Sequence, residues 1–179
     1  MVDSVSKKYT KAPPLRVWDV LCDGYRYADW VMGTKEIRAV DDGFPTVGTA
    51  IHFTAGVGPI TYRNKTTVRS SVEMQCLELE AHGWPAGSVR IVLTIEPSGE
   101  GCNLTFDEHP LRGPARWLHN PVTNVVFNAR TSMILGNLIK LAESGEPVQP
   151  AGSEPTDSDT GPSSDQEISG APVSRDEDE

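Results

Sequence analysis

The sequence predicts an α+β domain in which a curved, seven-stranded antiparallel sheet wraps around a long C-terminal helix. Three observations lead to this fold. Short β-rich runs alternate with turn residues from Lys35 to Leu111, two short helical patterns follow a first strand, and one wide apolar helical stripe runs from Pro121 to Glu143. A helix that long with one apolar face must lie against another apolar surface, and the sheet provides it.

The N-terminal elements come first in the chain. Val2 to Tyr9 is predicted to form a strand, and Ala12-Pro13-Pro14 then opens a helix. The apolar residues of this helix recur at helical spacing: Leu15, Val17, Trp18 and Leu21. Tyr25 to Met32 is predicted to be a second short helix that ends at Gly33. Two small helices therefore follow the first strand.

Six further strands are predicted in the middle of the chain. They are Glu36–Asp41, Thr49–Ala55, Ile60–Arg69, Cys76–His82, Ser88–Glu96 and Asn103–His109, with turns that include Ser70-Ser71. Because successive turns of a meander alternate between the ends of a sheet, the turns at 56–59 and 83–87 and the segment 111–113 are predicted to frame one opening. Trp84 lies in the second of these turns, where it either caps the core or lines the rim.

The C-terminal part divides into a helix and an acidic segment. Asn120 is placed as the N-cap, Pro121 at the first helical position and Gly145 as the stop of the helix. Residues 146–179 contain ten Asp or Glu and a single Arg, which accounts for the whole net charge of −9. Their low apolar content predicts disorder. The predicted organisation is a folded domain over 1–144 and a disordered acidic tail over 145–179.

Composition excludes several classes of function. Residues 1–144 are electrically neutral, which argues against nucleic acid as the main ligand because phosphate binding needs concentrated positive charge. The sequence shows neither a signal peptide nor a membrane span, so a cytoplasmic location is predicted. Cys22, Cys76 and Cys102 are read as free thiols. No spacing typical of a metal site and no cofactor motif is present, so none is predicted.

Particular segments carry a resemblance to a known family. They are Ala12-Pro13-Pro14 through Trp18 to Trp30, Val47-Gly48-Thr49 entering a strand, Glu108-His109-Pro110, and Leu118-His119-Asn120-Pro121. Together with the order of elements over residues 2–143, they resemble the helix-grip fold of the polyketide cyclase/dehydrase and START-like (SRPBCC) lipid-transfer superfamily, in its bacterial polyketide-cyclase-like branch. The resemblance implies a hydrophobic cavity between sheet and helix, but no particular ligand.

Within that cavity, Glu108 is the most unusual residue. It alternates with Leu104 and Phe106, which points its carboxylate inward, where it could act as a base or donate a hydrogen bond. The alternative is a frayed strand end, with Glu108 turned to solvent or paired with Arg112 or Arg116.

The other candidate ligand-binding residues are two polar side chains and a set of mostly apolar wall and rim residues. Tyr62 and Asn64 are predicted to face inward, where Tyr62 either orients a ligand carbonyl or satisfies a hydrogen bond of the core. The predicted apolar wall and rim comprise Leu79, Trp84, Ile91, Leu93, Phe106, Val122, Val126 and Met133.

Three hypotheses for function follow. The first is a binding module for a small hydrophobic molecule, either a lipid or an aromatic polyketide-like compound. The second, implied by the resemblance, is a cyclase-like enzyme in which Glu108 is the base and Tyr62 the donor for ring closure or dehydration. The third is an interaction protein whose acidic tail engages a basic partner or regulates access to the cavity, against the alternative that the tail only aids solubility.

Overall fold

The computed structural model of the chain describes residues 4–83, 87–112 and 121–145. Seven strands and three α-helices occur in these ranges, with a 3₁₀ turn at Gly24–Arg26 before the second helix. In chain order they are β1 (Ser4–Thr10), α1 (Pro14–Cys22), α2 (Tyr27–Trp30), β2 (Thr34–Val40), β3 (Ala50–Val57), β4 (Ile60–Val72), β5 (Cys76–Gly83), β6 (Gly87–Ser98), β7 (Gly101–Arg112) and α3 (Pro121–Ser144).

The strands form one antiparallel sheet in the order β1-β7-β6-β5-β4-β3-β2. Strands β2 to β7 are a meander, and β1 joins it at the far end by pairing with β7, from Ser4 opposite Glu108 to Thr10 opposite Cys102. The predicted α+β helix-grip architecture, with seven strands and a long C-terminal helix, is therefore confirmed.

One predicted turn is wrong. Ser70 and Ser71 do not leave the sheet but pair with Glu78 and Leu77 of β5, after a register shift that follows Val68. The chain reverses instead around Met74, which has a positive φ of 54°. Serine favours turns only in the absence of a competing ladder, and here the hairpin register continues to Val72.

The first helices cover one end of the concave face of the sheet. Helix α1 buries Val17, Trp18, Val20 and Leu21, whereas Leu15 is exposed. Helix α2 buries Tyr27 and Trp30. These side chains belong to the same apolar core as the inward residues of the strands.

Helix α3 lies across the concave face and packs against β1, β7, α1 and α2. Its buried side chains recur at helical spacing: Thr131, Ile134, Leu135, Leu138 and Ala142. Strand β1 holds this helix by polar contacts. Lys8 Nζ donates to the carbonyl of Ser132 at 2.8 Å, and Thr10 Oγ1 donates to the Glu143 carboxylate at 2.7 Å. The predicted N-cap at Asn120 and the predicted tail beyond Gly145 lie outside the described residues.

Candidate functional site

A cavity of about 280 Å³ lies between the concave face of the sheet and the segment that joins α2 to β2. Its lining is mostly apolar, with a few polar side chains. The described residues that line it are Tyr27, Val31, Met32, Gly33, Thr34, Phe53, Ala55, Gly56, Asn64, Ala81, His82, Gly87, Val89, Ile91, Glu108 and Arg130. Gly56 and Gly87 belong to two of the hairpins predicted to frame an opening.

An ion pair forms part of the cavity wall. Strand alternation places Glu108 on the concave face after Leu104 and Phe106, and the residue is only 5% exposed. Arg130 of α3 donates from Nη1 to both carboxylate oxygens, at 2.9 and 3.0 Å. The Arg130 side chain is 34% exposed, so the pair connects the cavity with the surface of the domain. Because a lone buried carboxylate is costly, Arg130 is what allows Glu108 to face the cavity.

Tyr27 supplies a second polar group to the wall. Its hydroxyl lies 3.2 Å from Oγ1 of the fully buried Thr66. Burial raises the pKa of Tyr27, although the hydrogen bond with Thr66 and the charge of Arg130 act in the opposite direction. The phenol is therefore neutral at physiological pH and can donate a hydrogen bond. The centroid of its ring is 5.1 Å from that of Trp30, in an edge-on arrangement, and 5.5 Å from that of Phe53. This side of the cavity is therefore aromatic.

Thr34 also lines the cavity. Its hydroxyl is inaccessible to solvent and has no hydrogen-bond partner among the residues of the described ranges. A hydroxyl in that state is a point at which a water or a polar group of a ligand would be favourable.

The structure brings three of the predicted residues together at the cavity: Asn64, Ile91 and Glu108. The inward direction predicted for Glu108 agrees with the structure, where Arg130 is its partner. The side chains of Arg112 and Arg116, the partners in the alternative prediction, lie outside the described residues. Arg130 was missed, although the sequence contains a signal. It is the one charged residue between Pro121 and Ile139, and a lone charge in a long uncharged stretch of a helix that packs on a sheet needs a partner where it is buried.

Three residues predicted for the cavity wall belong instead to the closed core. Leu79, Leu93 and Phe106 are 1–2% exposed and are not among the lining residues. The reason is that the cavity occupies only one end of the sheet. Further along the strands, these side chains pack in the same cluster as Ile134 and Leu138 of α3.

The placement of Met133 in the wall is wrong. This residue is 53% exposed. At 100° per residue, it lies almost opposite the centre of the face formed by Ile134, Leu135 and Leu138. Apolar residues occur on several sides of α3, and the predicted stripe therefore included one that faces away from the sheet.

The remaining predicted residues are placed as follows. Tyr62 pairs with Ala55 on the concave face and is half-buried, but it is not among the lining residues of the described part of the chain. Trp84 lies outside the described residues, and so do the side chains of Val122 and Val126. Sequence reasoning did not single out Tyr27, Thr34 or Val89 as lining residues.

Two general features of the described ranges bear on function. No three His, Cys, Asp or Glu side chains within them come close enough together to hold a metal ion. No helix within them combines the length and the apolar character required to cross a membrane.

Comparison with solved structures shows the same fold in distant proteins. Protein CV1439 from Chromobacterium violaceum has 19% sequence identity and a TM-score of 0.60, and the match covers 79% of this chain and 97% of that one. DynU16, from the dynemicin biosynthetic locus, has 19% identity and a TM-score of 0.59, covering 83% of this chain and 50% of that one. TTHA0849 from Thermus thermophilus has 14% identity and a TM-score of 0.60, and the match covers 81% of this chain and 99% of that one.

Sequence comparison gives the family. Among curated proteins, none matches the chain. A family model described as "Polyketide cyclase / dehydrase and lipid transport" matches residues 1–143, which include all seven strands and nearly all of α3. The chain therefore belongs to the polyketide cyclase/dehydrase and lipid transport family.

Proposed function

We propose that the domain binds a small, mostly apolar molecule in the cavity, with the Glu108–Arg130 pair contacting a polar group of that molecule. The observation that carries this proposal is a partly buried ion pair, with a buried carboxylate, in the wall of a mostly apolar cavity. Sites for small molecules have this composition, since apolar walls supply affinity and a few polar groups fix orientation.

The size of the cavity favours a compact ligand. Pockets for small molecules commonly measure roughly 300–1,000 Å³, and the cavity of about 280 Å³ is just below that range. The aromatic side formed by Tyr27 and Phe53 fits a planar ring system better than a long acyl chain. Within the classes predicted from sequence, an aromatic polyketide-like compound is therefore preferred to an extended lipid.

Two experiments test binding. Extraction of the purified protein with denaturing solvent, followed by mass spectrometry, would identify a molecule that remains bound during purification. A fluorescent apolar probe, 1-anilinonaphthalene-8-sulfonate, can then be titrated into the protein to measure affinity for the cavity.

A pair of matched variants makes the titration specific. Ala81 lines the cavity, so Ala81→Phe should fill part of it and weaken probe binding at least several-fold. Ala39 is exposed on β2, and Ala39→Phe adds the same side chain away from the cavity. Equal probe affinities in the two variants, with both folded by circular dichroism, would refute binding in this cavity.

An enzyme is the second candidate, favoured by the position of Glu108 and Tyr27 on the same cavity. In this reaction the Glu108 carboxylate takes a proton from the carbon next to a substrate carbonyl. The electron pair of the broken C–H bond forms an enolate, whose oxygen accepts a hydrogen bond from the Tyr27 hydroxyl. Tyr27 replaces Tyr62 in this role because its ring lines the cavity.

The variant Glu108→Gln distinguishes the two candidates. If the domain is such an enzyme, Glu108→Gln should abolish turnover of a β-keto aromatic substrate while leaving its binding nearly unchanged. Full activity in this variant would remove Glu108 from the mechanism.

We propose a cytoplasmic location on the basis of the free thiols of Cys22, Cys76 and Cys102, and cell fractionation would check it.

A further inference from the structure

A basic groove lies on the outer face of the sheet, away from α3. It measures about 260 Å³ and is lined by Arg38, His52, Arg63, Asn64, Lys65 and His82. We infer that this groove binds the acidic segment 146–179 of the same chain. The inference does not depend on the proposed function of the cavity.

The groove is a product of strand register. His52 of β3 pairs with Lys65 of β4, which in turn pairs with His82 of β5, so these three side chains form a row on one face of the sheet. Arg63 lies two residues along β4 and shares that face. Arg38 comes from the irregular part of β2, between Ile37 and Ala39, where the register shifts.

The charges of the groove are not compensated within the described ranges. Elsewhere on the outer face, Arg69 is paired with Glu80 and Arg90 with Glu78. By contrast, Arg38, Arg63 and Lys65 have no carboxylate within 4.0 Å among the residues described.

The two histidines of the groove each lie near one carboxylate. His52 is 3.0 Å from Asp41, and His82 is 3.4 Å from Glu80. Glu36 is exposed on β2 but does not line the groove. The permanent positive charges of Arg38, Arg63 and Lys65 therefore converge on the groove of the outer face.

The occupant follows from the charge of the chain itself. Residues 146–179 contain ten Asp or Glu and one Arg, and the last four of these residues, Asp176 to Glu179, are all acidic. An external polyanion would be repelled by the overall charge of −9, whereas the acidic segment is attached to the domain and is present at an effective concentration on the order of millimolar.

The segment is long enough to reach the groove. Helix α3 ends at Ser144, where Glu143 bonds to Thr10 at one edge of the sheet. Seven strands about 4.8 Å apart span roughly 30 Å. A random coil of 34 residues would have a root-mean-square end-to-end distance of about 30–35 Å, which is enough for acidic residues of 146–179 to reach the outer face.

Docking at the groove would also bring the acidic segment next to the cavity. Asn64 and His82 line both the groove and the cavity. The contact would be sensitive to salt, because exposed ion pairs are individually weak and the Debye length shortens from about 10 Å at 0.1 M to about 3 Å at 1 M.

Zero-length cross-linking of the full chain tests this inference. A carbodiimide joins a carboxylate to a lysine amine only when the two are in contact, and mass spectrometry identifies the joined residues. We expect Lys65 to be linked to acidic residues of 146–179 in greater yield than Lys140. Lys140 is the matched control, since it is exposed on α3 and close in sequence to the start of the acidic segment.

Variants and salt complete the design. The double variant Arg38→Ser, Arg63→Ser should lower the Lys65 cross-link several-fold, and so should salt at about 1 M. The double variant Lys11→Ser, Lys140→Ser makes the same change in net charge away from the groove and should leave that cross-link unchanged.

Three results would overturn the inference. One is a yield that follows sequence proximity, with Lys140 linked as much as Lys65 or more. Another is a Lys65 yield that responds to neither the groove variant nor salt. The last is a Lys65 cross-link that joins heavy to light copies in a mixture of ¹⁵N-labelled and unlabelled protein, since the contact would then be between molecules.

Discussion

Replacing Arg130 by methionine should destabilise the domain more than the neutral replacement Glu108→Gln of its partner. Methionine keeps the length and apolar character of the stem but removes the donor to both oxygens of Glu108. The carboxylate would then remain in a site where it is only 5% exposed, without a compensating charge. In the opposite variant, Glu108→Gln, the guanidinium that loses its partner is 34% exposed and can be solvated.

The difference in exposure sets the magnitudes. Removing one partner of a buried ion pair commonly costs about 3–5 kcal/mol, and the partial exposure of Arg130 lowers the expectation for Arg130→Met to about 2–3 kcal/mol, at or below the bottom of that range. For Glu108→Gln, a lost charge-assisted hydrogen bond with a solvated survivor suggests about 1–2 kcal/mol. The double variant with methionine at both positions should cost less than Arg130→Met alone, because it leaves no unpaired charge.

Urea unfolding followed by circular dichroism measures these differences. The dependence of the free energy of unfolding on urea concentration should keep the same slope in all four proteins, so that shifts of the midpoint report stability. If Arg130→Met is destabilised no more than Glu108→Gln, or if the double variant is less stable than Arg130→Met, the carboxylate does not depend on Arg130 for its place in the wall.

Three further predictions concern other parts of the domain. The hydrogen bond from Thr10, together with that from the backbone N–H of Lys11, lowers the pKa of Glu143. The ionised Glu143 carboxylate therefore stabilises the domain above the ordinary carboxyl pKa, and this stabilisation is lost as pH falls through the lowered pKa of the folded state. The stability difference between wild type and Glu143→Gln, from urea unfolding at a series of pH values, should therefore shrink in acid. Gly136→Ala should stabilise α3 by up to about 1 kcal/mol, because the added methyl group would be 3.5 Å from its nearest neighbour, Lys8 Nζ. Gly56→Ala should instead destabilise the domain by about 1–3 kcal/mol, because the added methyl group would clash with the Ile60 carbonyl. Equal thermal midpoints for the two variants would contradict this. Burial raises the pKa of the Cys22 thiol to about 11, so its alkylation by iodoacetamide, followed by peptide mass spectrometry, should be slow at neutral pH and accelerate as pH approaches that value.

The fold was predictable because its signals are local and repeated. Alternation along β6 places Val89, Ile91, Leu93 and Ile95 on one face, and the structure orients them in this way. Proline and glycine mark the starts and ends of α1, α2 and α3 closely enough that each predicted helix corresponds to an observed one. The same alternation gave the correct direction for Glu108.

The site was less predictable, because the side chains that meet in it come from elements far apart in the chain. Strand alternation gives the face on which Glu108 lies, but not that Arg130 of α3 lies opposite. It also cannot distinguish a wall residue such as Ile91 from a core residue such as Leu93, since the two share a face and differ only in their distance from the end of the sheet. Helical periodicity failed for Met133 because α3 carries apolar residues on its outer side as well.

The pairing of β1 with β7 has a consequence for how the protein is made. The first strand emerges from the ribosome roughly 100 residues before the strand with which it pairs. At a synthesis rate of about 5–20 residues per second, the N-terminal segment waits some 5–20 s without its neighbour in the sheet. Helix α3, which β1 also holds through Lys8 and Thr10, emerges later still. The meander can assemble progressively during translation, whereas closure by the N-terminal strand is a late, long-range event that makes this a slow-folding topology for its size.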